Sequence, residues 1–127
     1  MLKGKGSENL DEFKAIVAAW HTTNRTTIYL IENLPNDLWP MNVPGYKQRT
    51  IRRVAAHIHN ARCAWIKSIG EKHGARVPTP VDKNRVTRSG LARALERGGK
   101  GIVDLIKLGP HAAAASRRLP GKTFLLT

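Results

Sequence analysis

Residues 50–70 read TIRRVAAHIHNARCAWIKSIG and contain a regular helical pattern. Apolar side chains recur there at steps of three and four, which places them on one face of an α-helix. Thr50 precedes the first of them and can cap the helix N-terminus, and Gly70 follows the last as a C-terminal stop. The pattern predicts a helix over residues 50–69 whose buried face consists of Ile51, Val54, Ala55, Ile58, Ala61, Trp65, Ile66 and Ile69.

A longer stripe of the same period precedes this helix. It predicts a first helix over residues 8–34, ended by Pro35. The helix is predicted to begin near Ser7 or Asn9, and Asn9 and Glu12 have the spacing of a capping box. At roughly 25 residues, this helix spans on the order of 37 Å, the length of a bundle helix. Its apolar face consists of Phe13, Ile16, Val17, Trp20, Thr27, Ile28, Ile31 and Leu34.

A third stripe follows Thr87 and predicts a helix over residues 88–108. Glycine costs a helix interior ~1 kcal/mol relative to alanine, and three glycines interrupt this stripe, so we expect it to be the least stable of the helices. The glycines are Gly98, Gly99 and Gly101, and the apolar face consists of Leu91, Leu95, Ile102, Val103, Leu105 and Ile106.

The segments outside these helices differ in character. Residues 35–49 form a proline-rich loop in which Trp39 and Met41 are expected to fold back over one end of a bundle. Residues 70–86 are polar and long enough to cross the bundle, and residues 109–127 have no helical stripe. These patterns predict a single all-α domain, an up-and-down helix bundle of three long helices plus an irregular C-terminal tail.

Size and composition exclude several classes of protein. The chain has 127 residues, and its hydrophobic fraction of 41% is enough for one core and too high for a disordered chain. No apolar run approaches the ~20 residues that a membrane span needs, so no membrane association is expected. A single cysteine, Cys63, excludes an internal disulfide and favours a reducing compartment. We therefore expect a cytoplasmic protein.

The charge is high and unevenly distributed. The formal net charge is +13, and it divides into −1 over residues 1–39 and +14 over residues 40–127. A basic field can attract nucleic acid, but no helix-turn-helix, zinc-finger or RNA-binding motif accompanies it. The interpretation favoured is a solvated basic surface, with at most weak and non-specific nucleic-acid binding that is sensitive to salt.

Four short segments carry a family resemblance: NRTT at 24–27, LPNDLW at 34–39, TIRRVAAHI at 50–58 and LARALE at 91–96. In their order and spacing they resemble the DinB-like (YfiT-like) family of four-helix-bundle metalloenzymes, which is unrelated to the DNA polymerase that shares its name. The resemblance covers about residues 8–108. It implies a bundle fold and relatives that include metal-dependent thiol transferases and isomerases.

The resemblance also implies a divalent metal, zinc or nickel, held by three histidines. One lies on the second helix in a segment like VAAHI at 54–58, which corresponds to His57. The other two form an H-x-x-x-H pair on the last helix, because side chains at i and i+4 share a face and can hold one ion. Here the only histidine after His73 is His111, and its i+4 position is Ala115. The C-terminal helix that usually carries this pair is therefore not recognisable. Either a truncated gene or a diverged family member would have such a sequence.

Three histidines are candidate metal ligands: His57, with His59 and His111 as second choices. His57 and His59 lie about 200° apart around a helix, so they cannot share an ion. Geometry does not choose between them, and the family pattern favours His57. A lone histidine is more often a boundary residue that hydrogen-bonds a neighbour. We therefore predict that the chain binds no cofactor firmly, although the family resemblance allows a divalent metal at a partial site. We also predict that no catalytic residues are assembled and that the isolated chain has no enzymatic activity.

Two further predictions come from the helical faces. Cys63 is predicted to face away from the apolar stripe, with Lys67 one turn later able to favour a reactive thiolate, although an unreactive cysteine is the more common case. Three stripes without a fourth helix leave apolar surface uncovered, which predicts a homodimer with a large apolar interface. A tail with apolar residues could cover part of it, through Leu119, Phe124, Leu125 and Leu126.

Overall fold

The computed structural model describes residues 3–109, with side chains from residue 10 onward. Within that range three α-helices form: α1 is Lys3–Glu32, α2 is Ile51–Trp65 and α3 is Arg88–Leu108. A π-helical turn, Ile66–Gly70, continues α2. The described residues contain no strand, only an isolated bridge between Asn42 and Thr50. The all-α prediction is confirmed.

The helix ends follow the capping signals at two of three N-termini. The Thr50 hydroxyl accepts a hydrogen bond from the Arg53 N–H, and the Thr87 hydroxyl accepts one from the Gly90 N–H, so both residues are N-caps. The expected start of α1 near Ser7 or Asn9 is wrong, because the helix already begins at Lys3. Asn9 is an interior position of that helix.

The three helices pack with α3 between α1 and α2. Hydrogen bonds from Trp20 to Gly99 and from Asn24 to Leu95 show that α1 and α3 run antiparallel. By contrast, α2 and α3 run in the same direction, since Gly98 lies against His59 and Leu105 lies against Gly70. Because parallel neighbours cannot be joined by a tight turn, the segment before α3 crosses the bundle, as its length predicted.

Glycines bring α3 close to its neighbours. A Cβ on Gly99 would lie 2.8 Å from Asn24 Nδ2, and one on Gly101 would lie 2.4 Å from the backbone oxygen of Arg76. Real Cβ atoms do not lie so close to other atoms. Glycine is therefore required at both positions, because neighbouring segments approach the α3 backbone closely there. They do not interrupt α3, which is continuous from Arg88 to Leu108.

A compact apolar cluster closes one end of the bundle. It contains Leu91 and Leu95 of α3, together with Ile31, Trp39 and Ala55. Trp39 folds over this end as predicted, and its Nε1 donates to the Val86 carbonyl at 3.0 Å. The same expectation is wrong for Met41, whose side chain is half exposed. Of these two side chains, only Trp39 covers the end of the core.

The buried face of α2 agrees with the predicted stripe at Ala55, Ile66 and Ile69 and differs from it at Val54 and Ile58. The side chains that pack inward are those of Ala55, Ala56, His59 and Cys63, continued by Ile66 in the following turn. Val54 and Ile58 are 43% and 38% exposed. The reason is steric, because small residues let α2 approach α3 closely. We call Val54, Ile58, Ala61 and Trp65 the outer face of α2; they recur at steps of three and four and share one side of the helix.

The predicted irregular tail lies almost wholly outside the described residues, and so does His111. Among residues 3–109, none of the helices combines the length and the apolarity that a bilayer-spanning segment requires.

Candidate functional site

The predicted metal ligand His57 lies on α2. Its side chain is half buried and borders the outer face of α2. Within residues 3–109, no three His, Cys, Asp or Glu side chains lie together as a metal-binding group. His59 projects instead between α2 and α3, where it is 1% exposed. The structure therefore does not bring these two candidates together.

The ring of His59 is held by the crossing segment. Its Nε2 lies 2.8 Å from the carbonyl oxygen of Thr79. Because a carbonyl only accepts, Nε2 carries the proton and donates it, and Cys63 Sγ at 3.3 Å shares the same N–H. The other nitrogen, Nδ1, is buried and has no hydrogen-bond partner. Thr79 thus selects the tautomer that leaves an unused acceptor on Nδ1.

The surroundings of His59 keep the ring neutral. Burial lowers its pKa most, and the nearby charges of Arg62 and Arg97 lower it further. The hydrogen bond to Thr79 acts in the opposite direction. A neutral ring with its proton on Nε2 presents its lone pair at Nδ1, inside the protein.

A pocket of about 240 Å³ lies beside this ring, between α3 and the crossing segment. Arg97 and Lys100 of α3 line it, and within residues 3–109 neither forms a hydrogen bond or an ion pair. A third cation, Arg76, is already paired with Asp104 at 3.0 Å, which holds the pKa of that carboxyl below its usual range. The other lining residues are His59, Val77, Pro78, Thr79 and Ala94.

A second polar cluster joins all three helices in the interior. The Arg62 guanidinium of α2 stacks on the Trp20 ring of α1 at 4.6 Å and donates to Asn24 Oδ1 at 2.8 Å. Asn24 Nδ2 then donates to the Leu95 carbonyl of α3 at 3.2 Å, and Trp20 Nε1 donates to that of Gly99 at 3.2 Å. These contacts fix how the helices sit against each other.

Sequence reasoning missed the roles of Asn24 and Arg62, although a signal was present. Asn24 lies one turn after Trp20 and one turn before Ile28, in the middle of the apolar stripe of the first helix. A polar residue at a buried helical position needs a partner, because an unsatisfied amide is costly to bury. That position predicts a buried hydrogen-bonding group, and the structure supplies Arg62 and Leu95 as its partners.

The predicted orientation of Cys63, away from the apolar stripe, is wrong. Its side chain is buried between α2 and α3, on the face that packs inward. Burial raises the pKa of the thiol to about 11, whereas Lys67 was expected to lower it. Lys67 itself is exposed. The thiol is therefore protonated at neutral pH.

We expect Cys63 to react slowly with thiol reagents in the folded protein. With a pKa of about 11, the thiolate fraction at pH 8 is small, and burial limits access as well. The rate with a disulfide reagent should be lower than that of the unfolded chain by at least about 100-fold. Timed labelling in buffer and in guanidinium measures both rates. Equal rates would show an exposed thiol.

These observations define a class first: an all-α bundle protein with a polar interior and a basic pocket beside a buried histidine. A family model then identifies it more closely. The DinB family model matches residues 7–97, so the chain belongs to the DinB family. The resemblance drawn from the four segments is thereby confirmed. Comparison with curated proteins and with solved structures gives no significant match.

Proposed function

We propose that this DinB-family protein acts through self-association, with the outer face of α2 as its contact surface, and that it carries no tightly bound transition metal. The observation that carries the proposal is the exposure of two neighbouring branched side chains, Val54 and Ile58, on one face of a bundle helix. We place the protein in the cytoplasm, because a buried unpaired cysteine suits a reducing compartment.

Exposed apolar side chains on a second helix support self-association. Ile16 and Leu30 of α1 are both more than half exposed. Single exposed apolar residues are ordinary, whereas several of them give a second copy more apolar surface to cover. At ~25 cal/mol per Å², covering a few hundred Å² stabilises an assembly by several kcal/mol. A second copy offers the same face and pairs with it symmetrically.

Sedimentation velocity at micromolar concentration tests this proposal. The wild-type chain should sediment as a dimer, and Ile58→Glu should shift it to monomer, because a carboxylate at the interface centre would be desolvated. Tyr29→Glu is the matched control, since Tyr29 of α1 is 64% exposed and outside the proposed surface. A wild-type monomer whose cooperative unfolding is independent of concentration would overturn the proposal. It would mean that residues 110–127 or another segment covers the face.

The metal part of the proposal rests on the surroundings of His57. A transition-metal site uses three or more protein ligands, and within the described range His57 is not part of a group of three His, Cys, Asp or Glu side chains. Elemental analysis of the purified protein should therefore find zinc and nickel far below one atom per chain. His21→Ala, at an exposed position of α1, is the control for His57→Ala. One metal per chain that disappears only in His57→Ala would contradict the proposal.

A further inference from the structure

We propose that the loop of residues 41–51, which we call the Tyr46 loop, binds single-stranded nucleic acid. In this complex Tyr46 stacks on an unpaired base, and neighbouring cations contact the phosphates. Tyr46 is 56% exposed, and the Arg49 guanidinium lies over its ring at 5.1 Å from the centroid. The loop thus presents an aromatic ring and a cation side by side. The inference goes beyond self-association, because the Tyr46 loop contains no residue of the outer face of α2.

The sequence builds a tight turn into this loop. Residues 43–46 read VPGY, and the Tyr46 N–H donates to the Val43 carbonyl at 3.0 Å. A type II β-turn favours proline at its second residue and needs a positive φ at its third, and Gly45 adopts a φ of +85° there. Tyr46 is therefore the last residue of a turn whose conformation is set by its own sequence.

The rest of the loop is held by hydrogen bonds as well. The Val43 N–H donates to the Arg49 carbonyl at 2.7 Å, which closes the loop behind the turn. Gln48 adopts a left-handed backbone conformation with a φ of 58°, and its carbonyl accepts a hydrogen bond from the Arg53 side chain of α2. Because the loop is already ordered, binding a ligand costs less conformational entropy than it would in a flexible segment.

The surroundings of Tyr46 are basic. Lys47 and Arg49 of the loop are exposed, and Arg53 of α2 donates to the loop backbone. Among the side chains that the structure describes, no carboxylate forms an ion pair with any of these three cations. In the sequence, residues 38–70 contain no aspartate or glutamate at all. Phosphates on either side of a stacked base would therefore meet cations that are not already neutralised.

The exposed ring decides which polyanion fits. In a single strand the base faces are free to stack on an aromatic side chain, and such stacking tolerates any sequence. In a duplex the bases stack on one another, so Tyr46 has no base to contact. An anionic membrane would also attract the cations, but inserting Tyr46 into it would take the Arg49 guanidinium out of water at a large cost. A ring in contact with a cation matches the alternation of bases and phosphates along a single strand.

Fluorescence anisotropy with the full chain at low salt and a labelled oligothymidylate of about 12 nucleotides tests the proposal. Tyr46→Ala should weaken binding by at least about 5-fold, because the stacking contact is lost, whereas Tyr46→Phe should bind like wild type. The matched control is Tyr29→Ala, which removes a tyrosine of α1 that is 64% exposed. This control should change the affinity by less than about 2-fold, since it removes neither the stacking contact nor a charge.

An abasic strand of the same length separates stacking from charge. It keeps the phosphates but has no bases, so wild type and Tyr46→Ala should bind it equally weakly. For the thymidylate strand, Arg49→Gln should reduce the slope of log Kobs against log salt concentration by about 0.7, the effect of one phosphate contact. Arg93→Gln, at an exposed position of α3, is the control and should leave this slope unchanged.

The proposal fails if the thymidylate strand does not bind at low salt. It also fails if Tyr46→Ala and Tyr29→Ala behave alike, or if the abasic and thymidylate strands bind equally, because charge alone would then explain the binding. Vesicles that contain anionic lipid are the last arm of the experiment. If they displace the strand and Tyr46→Ala no longer binds them, the partner is a membrane surface and the proposal is wrong. Circular dichroism checks that each variant is folded.

Discussion

Gly101→Ala should destabilise the protein by about 2–4 kcal/mol, although alanine is the better helix former by about 1 kcal/mol. The new Cβ would lie 2.4 Å from the Arg76 carbonyl oxygen and 2.8 Å from Ile66 Cδ1. A backbone oxygen cannot rotate away as the end of a side chain can. The crossing segment or α3 must therefore shift, and the contacts between them are lost.

Urea denaturation followed by circular dichroism, at one fixed protein concentration, measures this effect. Gly98→Ala is the matched control, since it makes the same change one turn earlier in α3. Its Cβ would lie 3.1 Å from the His59 ring and 3.4 Å from Pro78, which are longer distances than those at Gly101 and involve no backbone oxygen. We expect that control to stay within about 1 kcal/mol of wild type, because the gain in helix propensity offsets the tight contact. If the two variants unfolded at the same urea concentration, the close contact between Gly101 and the Arg76 carbonyl would be refuted.

Asn24→Ala should cost about 2–3 kcal/mol. The side chain is buried and accepts from Arg62 while donating to Leu95, so its removal breaks two hydrogen bonds between helices. It also leaves the Arg62 guanidinium half buried without its acceptor, and a buried charge that loses its partner is costly. Burial also lowers the pKa of Arg62.

The control for this prediction is Asn33→Ala. Asn33 also donates a hydrogen bond, to the Tyr29 carbonyl at 2.8 Å. Its side chain is exposed, however, and this hydrogen bond joins residues only four positions apart. It should change stability by less than about 0.5 kcal/mol. A double-mutant cycle with Arg62→Met should give an interaction energy of about 1 kcal/mol or more between Asn24 and Arg62. Additive losses would mean that the two side chains do not act as a pair.

The histidines show how far site prediction from sequence can reach. Helical geometry correctly separated His57 and His59 onto different sides of one helix, but it did not reveal that His59 is the buried one. That burial depends on Thr79 and Gly98, which are about 20 and 40 residues further along the chain. The pocket and its free cations depend on the same long-range contacts, so no local pattern could have predicted them.

The sequence by itself determined the all-α class, the family and the approximate extent of three helices, because caps, breakers and helical period are local properties of the chain. It also showed that the segment before α3 is long enough to cross the bundle, and the contacts of α3 with α2 show that it does. Only the tertiary structure decided which face of α2 is buried. The helical period of about 3.6 residues per turn shows which side chains share a side of α2. It does not show which side is buried, and the buried side is the one whose small residues allow α3 to approach. Ala55, Ala56 and Cys63 therefore turn inward, and the larger Val54 and Ile58 remain on the surface.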